Sequence, residues 1–556
     1  MKRDCRYTGG AMLNIVSEPA ADGYDYVVIG SGSAGSTIAG RLAEDTSLRI
    51  LLIEAGGSDI NIGIVMPGAM GLPLLSNKTN WKLFSDDGPG PIYEPRGRVL
   101  GGSSSVNGMN WMRGNAEDYD AWSDFGVAGW DYQDVLPYFK KMETFEDGEN
   151  RWRGGSGPIK VERAPCRNRL FEAFLEAGQQ AGHALNPDQN GEKQAGMHRI
   201  QRNICDGRRI NASYAYLRQK PMRNLDVMLH TRVTRLLFSG TTCVAVQATR
   251  QGRNHRIAVG REAILCAGAL MSPHLLMLSG IGEADALRSH GIAPVVHQPE
   301  VGRGLSDHTA LVVDWHVRNE RDSMARELSV PRRPLIGAQW LLTRRGIGAS
   351  NLFEAGAMIS TDGSGRPDVQ MECVAFRPYF GHDAIRINPG YHCSLSLQRP
   401  TSTGRVWLRS ADPLAAPAFS FNYLTTEYDQ KLAIKAIKSV REIMSQSAMA
   451  RYVQGEADDV AQARSDADIL AWAKATAESN YHPSCTLRMG TVTDSEGRVF
   501  GVERVRVVDA SIFPTIPSAN LNSPVTMLAE KIAASILRQS GQAGSAQRNA
   551  FSIDTA

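Results

Sequence analysis

A chain of 556 residues, 42% hydrophobic and 21% charged, has a globular composition and the length for two or more domains with large cores. Its 61 basic and 58 acidic residues leave a net charge of +3, which speaks against nucleic acid or another polyanion as a partner. No apolar run reaches the roughly 18 residues of a membrane span, and the first 23 residues, read as a loose leader, lack a signal-peptide core.

In chain order, the first strong element is an apolar strand, Tyr24–Ile29, running into Gly30-Ser31-Gly32-Ser33-Ala34-Gly35. A helical stretch follows over 36–44, then a second apolar strand over 48–53, ending at Glu54. This is the glycine pattern of a dinucleotide-binding βαβ unit. Gly30 permits the tight turn, Gly32 lets the main chain approach a pyrophosphate, and Gly35 lets helix and strand pack closely. The helix N-terminus offers free N–H groups and a favourable dipole to the diphosphate. Glu54 stands where an acid accepts hydrogen bonds from a ribose, which disfavours a 2′-phosphate and leaves FAD or NAD.

Next comes Gly97-Arg98-Val99-Leu100-Gly101-Gly102-Ser103-Ser104-Ser105-Val106-Asn107, where two glycines would let the chain lie against a flat ligand. Strands are expected at 226–229, 244–249, 263–266 and 505–508, completing an α/β sheet. Strand-like segments at 311–317, 369–374, 393–398 and 405–408 predict a second sheet, mostly antiparallel. Helices are expected over 429–445 and 466–477, the latter opened by aspartates. The basic cluster Arg332, Arg333, Arg344 and Arg345 reads as a solvated loop, and 541–556 as a frayed tail.

The eight cysteines (Cys5, Cys166, Cys205, Cys243, Cys266, Cys373, Cys393, Cys485) show neither a CxxC pair nor zinc spacing. Several sit in apolar strands, as at Cys243 and Cys266, and read as small buried hydrophobes; a reduced, intracellular setting and no metal site are expected. A cytoplasmic location follows as the expectation, with peripheral membrane contact left open.

Further segments give the chain a family likeness: 268–282 (GALMSPHLLMLSGIG), 301–308 (VGRGLSDH), 482–490 (HPSCTLRMG), and 508–514 (VDASIFP) followed by Asn520-Leu521-Asn522 and Ala529-Glu530-Lys531. Together with the two glycine-rich segments they resemble the glucose–methanol–choline (GMC) flavoprotein oxidoreductases, over about residues 24–538, and within them the choline-dehydrogenase-like members. The resemblance implies an α/β fold. A discontinuous, Rossmann-like FAD-binding domain (24–160, 225–310 and 481–540) would carry an inserted α+β substrate domain (161–224 and 311–480) on a mostly antiparallel sheet.

It also implies FAD. Gly30, Gly32, Gly35 and Glu54 would hold the ADP half, with Ser33, Ala34, Ala55 and Ala267 also on the cofactor. Arg98, Gly101, Gly102 and Asn107 would line the flavin side. Val233 would touch the adenine through its main chain, and Asp509 and Ala510 the pyrophosphate and ribityl chain. Relatives that attach FAD covalently do so through a His just before the Asn of the GG segment. Val106 stands there, so non-covalent FAD is expected.

Oxidising an alcohol by hydride transfer to a flavin requires the hydroxyl proton to leave, and a base with a pKa near working pH to take it. Histidine suits, and His482 is the one in the family's catalytic segment. Asn522, preferred to Asn520, is expected to hydrogen-bond the substrate oxygen. His308 and His274 read as structural. The expected activity is FAD-dependent oxidation of a primary alcohol to an aldehyde, passing electrons to oxygen, a quinone or a carrier. A lyase that keeps the flavin without turning it over is the alternative. Choline is one candidate among alcohols. Aromatic residues for an ammonium cage (Trp315, Trp340, Phe353, Phe376, Tyr379, Phe380) and the acids Glu354 and Glu372 are present, but no spacing gathers them.

Overall fold

The structure is a computed structural model that describes residues 12–87, 90–380, 384–457 and 459–553. Two sheets organise it. In the first, five strands run parallel in the order Asn14–Ile15, Leu225–Met228, Ile50–Ile53, Tyr24–Ile29 and Arg253–Leu265. Val505–Val507 adds a sixth, also on Arg253–Leu265. The inner segments of these strands are apolar because they are covered on both faces: Val27, Val28, Ile50, Leu51, Ala263 and Ile264 are all fully buried. The first half of Arg253–Leu265 instead continues an antiparallel meander with Thr242–Arg250 and Thr231–Ser239. The strand Tyr24–Ile29 lies between its two parallel neighbours, at the point where the strand order reverses. A ligand crevice is expected beyond the carboxyl end of such a strand.

The second sheet has seven strands, in the order Val453–Glu456, Thr309–Val317, Tyr391–Leu397, Val369–Val374, Ala355–Ile359 and Gly196–Arg199, with Glu478–Ser479 also on Thr309–Val317. Every pairing is antiparallel. Its strands alternate by face. Met371, Cys373, Cys393 and Leu395 enter a core shared with the helices Arg169–Gln180 and Glu427–Ser445. Gln370, Glu372, Ser394 and Ser396 face the other way. A mixed α/β fold with a mostly antiparallel second sheet was the expectation, and it holds.

Several local expectations need correction. The first helix starts at Ser33, three residues early, because Gly32 is already its N-cap. The strand expected over 405–408 forms as Gly404–Trp407, but it joins Arg303–Leu305 and Ala418–Ser420 in a small separate sheet. The leader is not loose throughout: Asn14–Ile15 is the edge strand, and Asp226 accepts from Asn14 Nδ2 and from the Tyr24 hydroxyl. The tail continues the helix Asn522–Ile553. The arginine cluster brackets a helix, Arg333–Thr343, rather than a loop, and Leu335, Leu341 and Leu342 of that helix are exposed. Among the described residues, no helix is long and apolar enough to cross a membrane, and no group of three or more His, Cys, Asp or Glu could hold a metal ion.

Candidate active site

At the end of Tyr24–Ile29 the chain turns through Gly30, whose φ of +96° is open to glycine and costly for other residues. A Cβ on Gly35 would stand 1.8 Å from the Gly30 carbonyl oxygen, so only glycine lets the helix Ser33–Leu42 sit on this turn. Gly32 is different. Its φ is −64°, and a Cβ there would meet no protein atom within 4 Å. It opens onto a cavity of about 370 Å³ that runs along the helix N-terminus. Glu54, buried beside it, accepts from Ser31 N–H and Oγ on one oxygen and from Gly56 N–H on the other. Burial pushes its carboxyl up, and those hydrogen bonds oppose the rise.

Gly30, Gly32, Ser33, Ala34, Glu54, Ala55, Gly102, Asn107, Val233, Ala267, Asp509 and Ala510 all line this one cavity. Gly35, Arg98 and Gly101 do not. Arg98 stacks its guanidinium over the Trp81 ring, 4.9 Å from the centroid, and Trp81 forms the wall. Protein packing by itself confines both glycines of the second motif. A Cβ on Gly101 would strike Ser105 Oγ at 2.3 Å, and one on Gly102 would strike Gly32 Cα at 2.6 Å. Asp509 ties loops together, accepting from Gly268 N–H and Ser272 Oγ on one oxygen and from Ser511 on the other. His274, on the helix Gly268–Leu278, lines the cavity with its Nε2 unpartnered, and burial lowers its pKa to about 4.

His482 lies on the wall of the same cavity. Its backbone N–H donates to Asp307 Oδ1 at 2.8 Å. Tyr423 and Ser479 hydroxyls hold the other oxygen of that carboxylate. Reciprocal backbone bonds between Ser306 and Ser484 stitch the two segments together. His308, expected to be structural only, faces His482 directly. The two Nδ1 atoms are 3.0 Å apart and the rings stand at 82°. Burial drives the His482 pKa well below the ordinary imidazole value, helped by His308 and Arg96, and burial takes His308 down to about 3. Asp307 and the neighbouring Glu94 are both held above the usual carboxylate range by burial.

The two asparagines separate. Asn522 accepts from Ser33 Oγ at 2.6 Å, which turns it toward the helix N-terminus. Asn520 turns to the second sheet, where its Nδ2 donates to Glu372 Oε1 (3.2 Å) and its Oδ1 accepts from Gln370 Nε2 (3.0 Å). Both line the cavity; Asn520 is the one whose side chain reaches the second sheet, while the expected Asn522 meets the first turn of the helix Ser33–Leu42. Of the acids considered for an ammonium site, Glu372 lines the cavity. Glu354 accepts from Arg167 N–H and Ser350 Oγ instead. Of the aromatics, Phe353 lines it, while Trp315 and Phe376 belong to the sheet core and Trp340 packs on Met66.

Family models for GMC oxidoreductases match residues 24–310 (N-terminal part) and 400–529 (C-terminal part). The chain is 41% identical over 530 residues to an oxygen-dependent choline dehydrogenase of Stenotrophomonas maltophilia, covering 92% of this chain and 94% of that one. It is also 41% identical over 547 residues to the mitochondrial choline dehydrogenase of Homo sapiens, covering 94% and 91%. Among solved structures it resembles pyridoxine 4-oxidase from Mesorbium loti (TM-score 0.83, 27% identity, 92% and 99% covered). A formate oxidase from Aspergillus oryzae superposes with a TM-score of 0.86 at 25% identity, covering 96% and 100%. With a βαβ glycine cradle and a half-buried histidine on one cavity, and these likenesses along nearly its whole length, the chain belongs to the GMC oxidoreductase family, as an FAD-dependent alcohol oxidoreductase.

Proposed function

We propose that the chain oxidises a small primary alcohol to its aldehyde, with His482 taking the hydroxyl proton. The observation that carries this reading is a half-buried imidazole, its pKa lowered so that it stays neutral, on the same cavity as the Gly32 cradle. The residues fit FAD. The open space before Gly32 and the helix N-terminus suit a pyrophosphate, and Glu54 suits a ribose. Val106 offers no nucleophile for covalent attachment, which supports dissociable FAD. When bound, FAD supplies the hydride acceptor; the protein supplies position and proton transfer.

His482 can act as a base only if Nε2 holds a lone pair, and that depends on His308. Two tautomer pairs satisfy the Nδ1–Nδ1 contact. If His482 Nδ1–H donates, Nε2 is free to accept the alcohol proton; if His308 donates, the proton of His482 sits on Nε2 and the base is lost. His308 Nε2 is buried and has no hydrogen-bond partner among the described residues. The reading takes the first pair, in which His308 carries its proton on Nε2 and accepts at Nδ1. In this reading Asn520, which lines the cavity, hydrogen-bonds the substrate oxygen.

His308 is thus a positioning residue. His308→Ala should slow anaerobic flavin reduction about 10–100-fold, the scale on which the partner of a working imidazole acts. His308→Gln, which can present a carbonyl to His482 Nδ1, should recover much of the loss. Equal loss in both variants, tracking a fall in melting temperature, would reduce His308 to packing.

The function itself is tested by mixing purified holoenzyme anaerobically with a panel of primary alcohols and then admitting air. Bleaching of the flavin absorbance by an alcohol is the expected result. Fast recovery in air marks an oxidase, and slow recovery a dehydrogenase. Flavin that stays oxidised with every alcohol sinks the reading in favour of a lyase.

A further inference from the structure

On the strand Val369–Val374, Glu372 lies on the polar face, and its side chain reaches the cavity that His482 and Asn520 also line. It is 5% exposed. Three amide donors converge on one carboxylate oxygen: Asn520 Nδ2 at 3.2 Å, Gln370 Nε2 at 3.4 Å and Asn110 Nδ2. No described residue bonds the other oxygen, Oε2. Among the described residues, no Lys, Arg or His nitrogen forms an ion pair with Glu372 either. Glu54, Glu354, Asp307 and Asp509 are likewise buried without an ion pair, but neutral donors hold both oxygens of each, and others take cations. Glu143 is paired with Arg113 and Arg153, and Glu530 with Arg41 and Lys141.

The arginines of the cavity wall and the histidine of the neighbouring strand are bonded elsewhere. His392 is bonded to Asp314 at 2.7 Å, Arg96 to Glu94 at 3.1 Å, and Arg232 to the carbonyls of Leu414 and Ala415. A carboxylate held out of water without a counter-charge is costly, and a ligand cation that pairs with it recovers that cost. The arrangement differs from an aromatic cage. Phe353 is near, but Trp315, Trp340 and Phe376 lie in packed clusters away from the cavity. Three oriented amides and an open oxygen select a group with N–H bonds to give, rather than a bare methylated face.

We infer that Glu372 Oε2 receives the ammonium N–H of a protonated amino alcohol whose hydroxyl lies at His482. This rests on the alcohol-oxidation reading above and narrows its substrate class. Asn520 links the two ends, touching Glu372 while standing on the cavity that His482 lines.

The test uses three alcohols of near-equal size on the holoenzyme: dimethylaminoethanol, choline, and the neutral analogue in which carbon replaces the nitrogen of choline. Anaerobic flavin reduction is followed for each. The protonated amine should exceed the neutral analogue in kcat/KM by about 10–100-fold, as one charge-assisted hydrogen bond allows, with choline between them. Glu372→Gln should collapse that ratio toward unity, chiefly through KM. A wild-type enzyme that takes the neutral analogue as readily as the amine overturns the inference and leaves alcohol oxidation standing. So does a choline preference that survives Glu372→Gln. Failure of every alcohol in the wider panel overturns both. The wild-type comparison decides the matter even where the variant does not fold.

Discussion

Gly32→Val is expected to give a folded protein that purifies without FAD, its flavin content below about a tenth of wild type. The argument is geometric. Residue 32 has φ −64° and ψ −163°, an extended conformation available to valine, and its Cβ would touch no protein atom within 4 Å. The chain therefore accepts the side chain, and the space it fills is the approach to the helix N-terminus at Ser33. A pyrophosphate needs that space because the unpaired N–H groups of the first turn are its main anchor. Gly35→Ala is the contrasting control. Its Cβ would collide with the Gly30 carbonyl at 1.8 Å, so the helix itself must move and the apoprotein should melt earlier. The ratio of flavin to protein absorbance, read beside the melting temperatures of the two apoproteins, separates the outcomes. Normal flavin content in Gly32→Val would take the pyrophosphate away from this turn.

What the sequence made legible divides along physical lines. Tyr24–Ile29 and Val369–Val374 were readable to the residue because the first is a largely apolar run closed by glycine and the second alternates apolar and polar residues. Turn chemistry was legible where it depends on local sterics, as at Gly30. It was not legible where the constraint is tertiary: Gly102 is confined by the Gly32 loop, far away in the chain. The strand near residue 405 has the right pattern, but no pattern says which sheet a strand will join. Asn520 and Asn522 lie two residues apart before a helix, with no periodicity to orient them. Contacts with Ser33 and Glu372, 489 and 148 residues away, decide between them. His308 is the same case, since its role depends on a ring 174 residues distant. Its short LSDH segment gave a signal, read as loop-fixing. Asp307 does fix the loop, and His308 meets the other histidine.

His482→Ala should lower the rate constant for anaerobic flavin reduction by about 10²–10⁴-fold, the range that a positioned general base contributes. FAD should stay bound, because the cradle at Gly32, Ser33 and Glu54 does not involve this ring. The wild-type pH profile tests the same residue from another side. An exposed histidine would lose its base form as pH falls through about 6.5. Here burial, His308 and Arg96 lower the pKa, so the neutral form persists below that value, and the reduction rate should show no loss centred there. The buried acids Glu94 and Asp307 complicate this. Both are held above the ordinary carboxylate range, and Asp307 anchors the backbone of His482, with Arg96 and the Tyr423 and Ser479 hydroxyls around them. A limb near neutral pH would therefore come from those carboxylates, and it would survive in the residual rate of His482→Ala. A limb belonging to the imidazole would vanish with it. Near-wild-type reduction in that variant, or a limb at 6.5 that disappears with the ring, would mean that the burial around residue 482 does something other than keep a base ready.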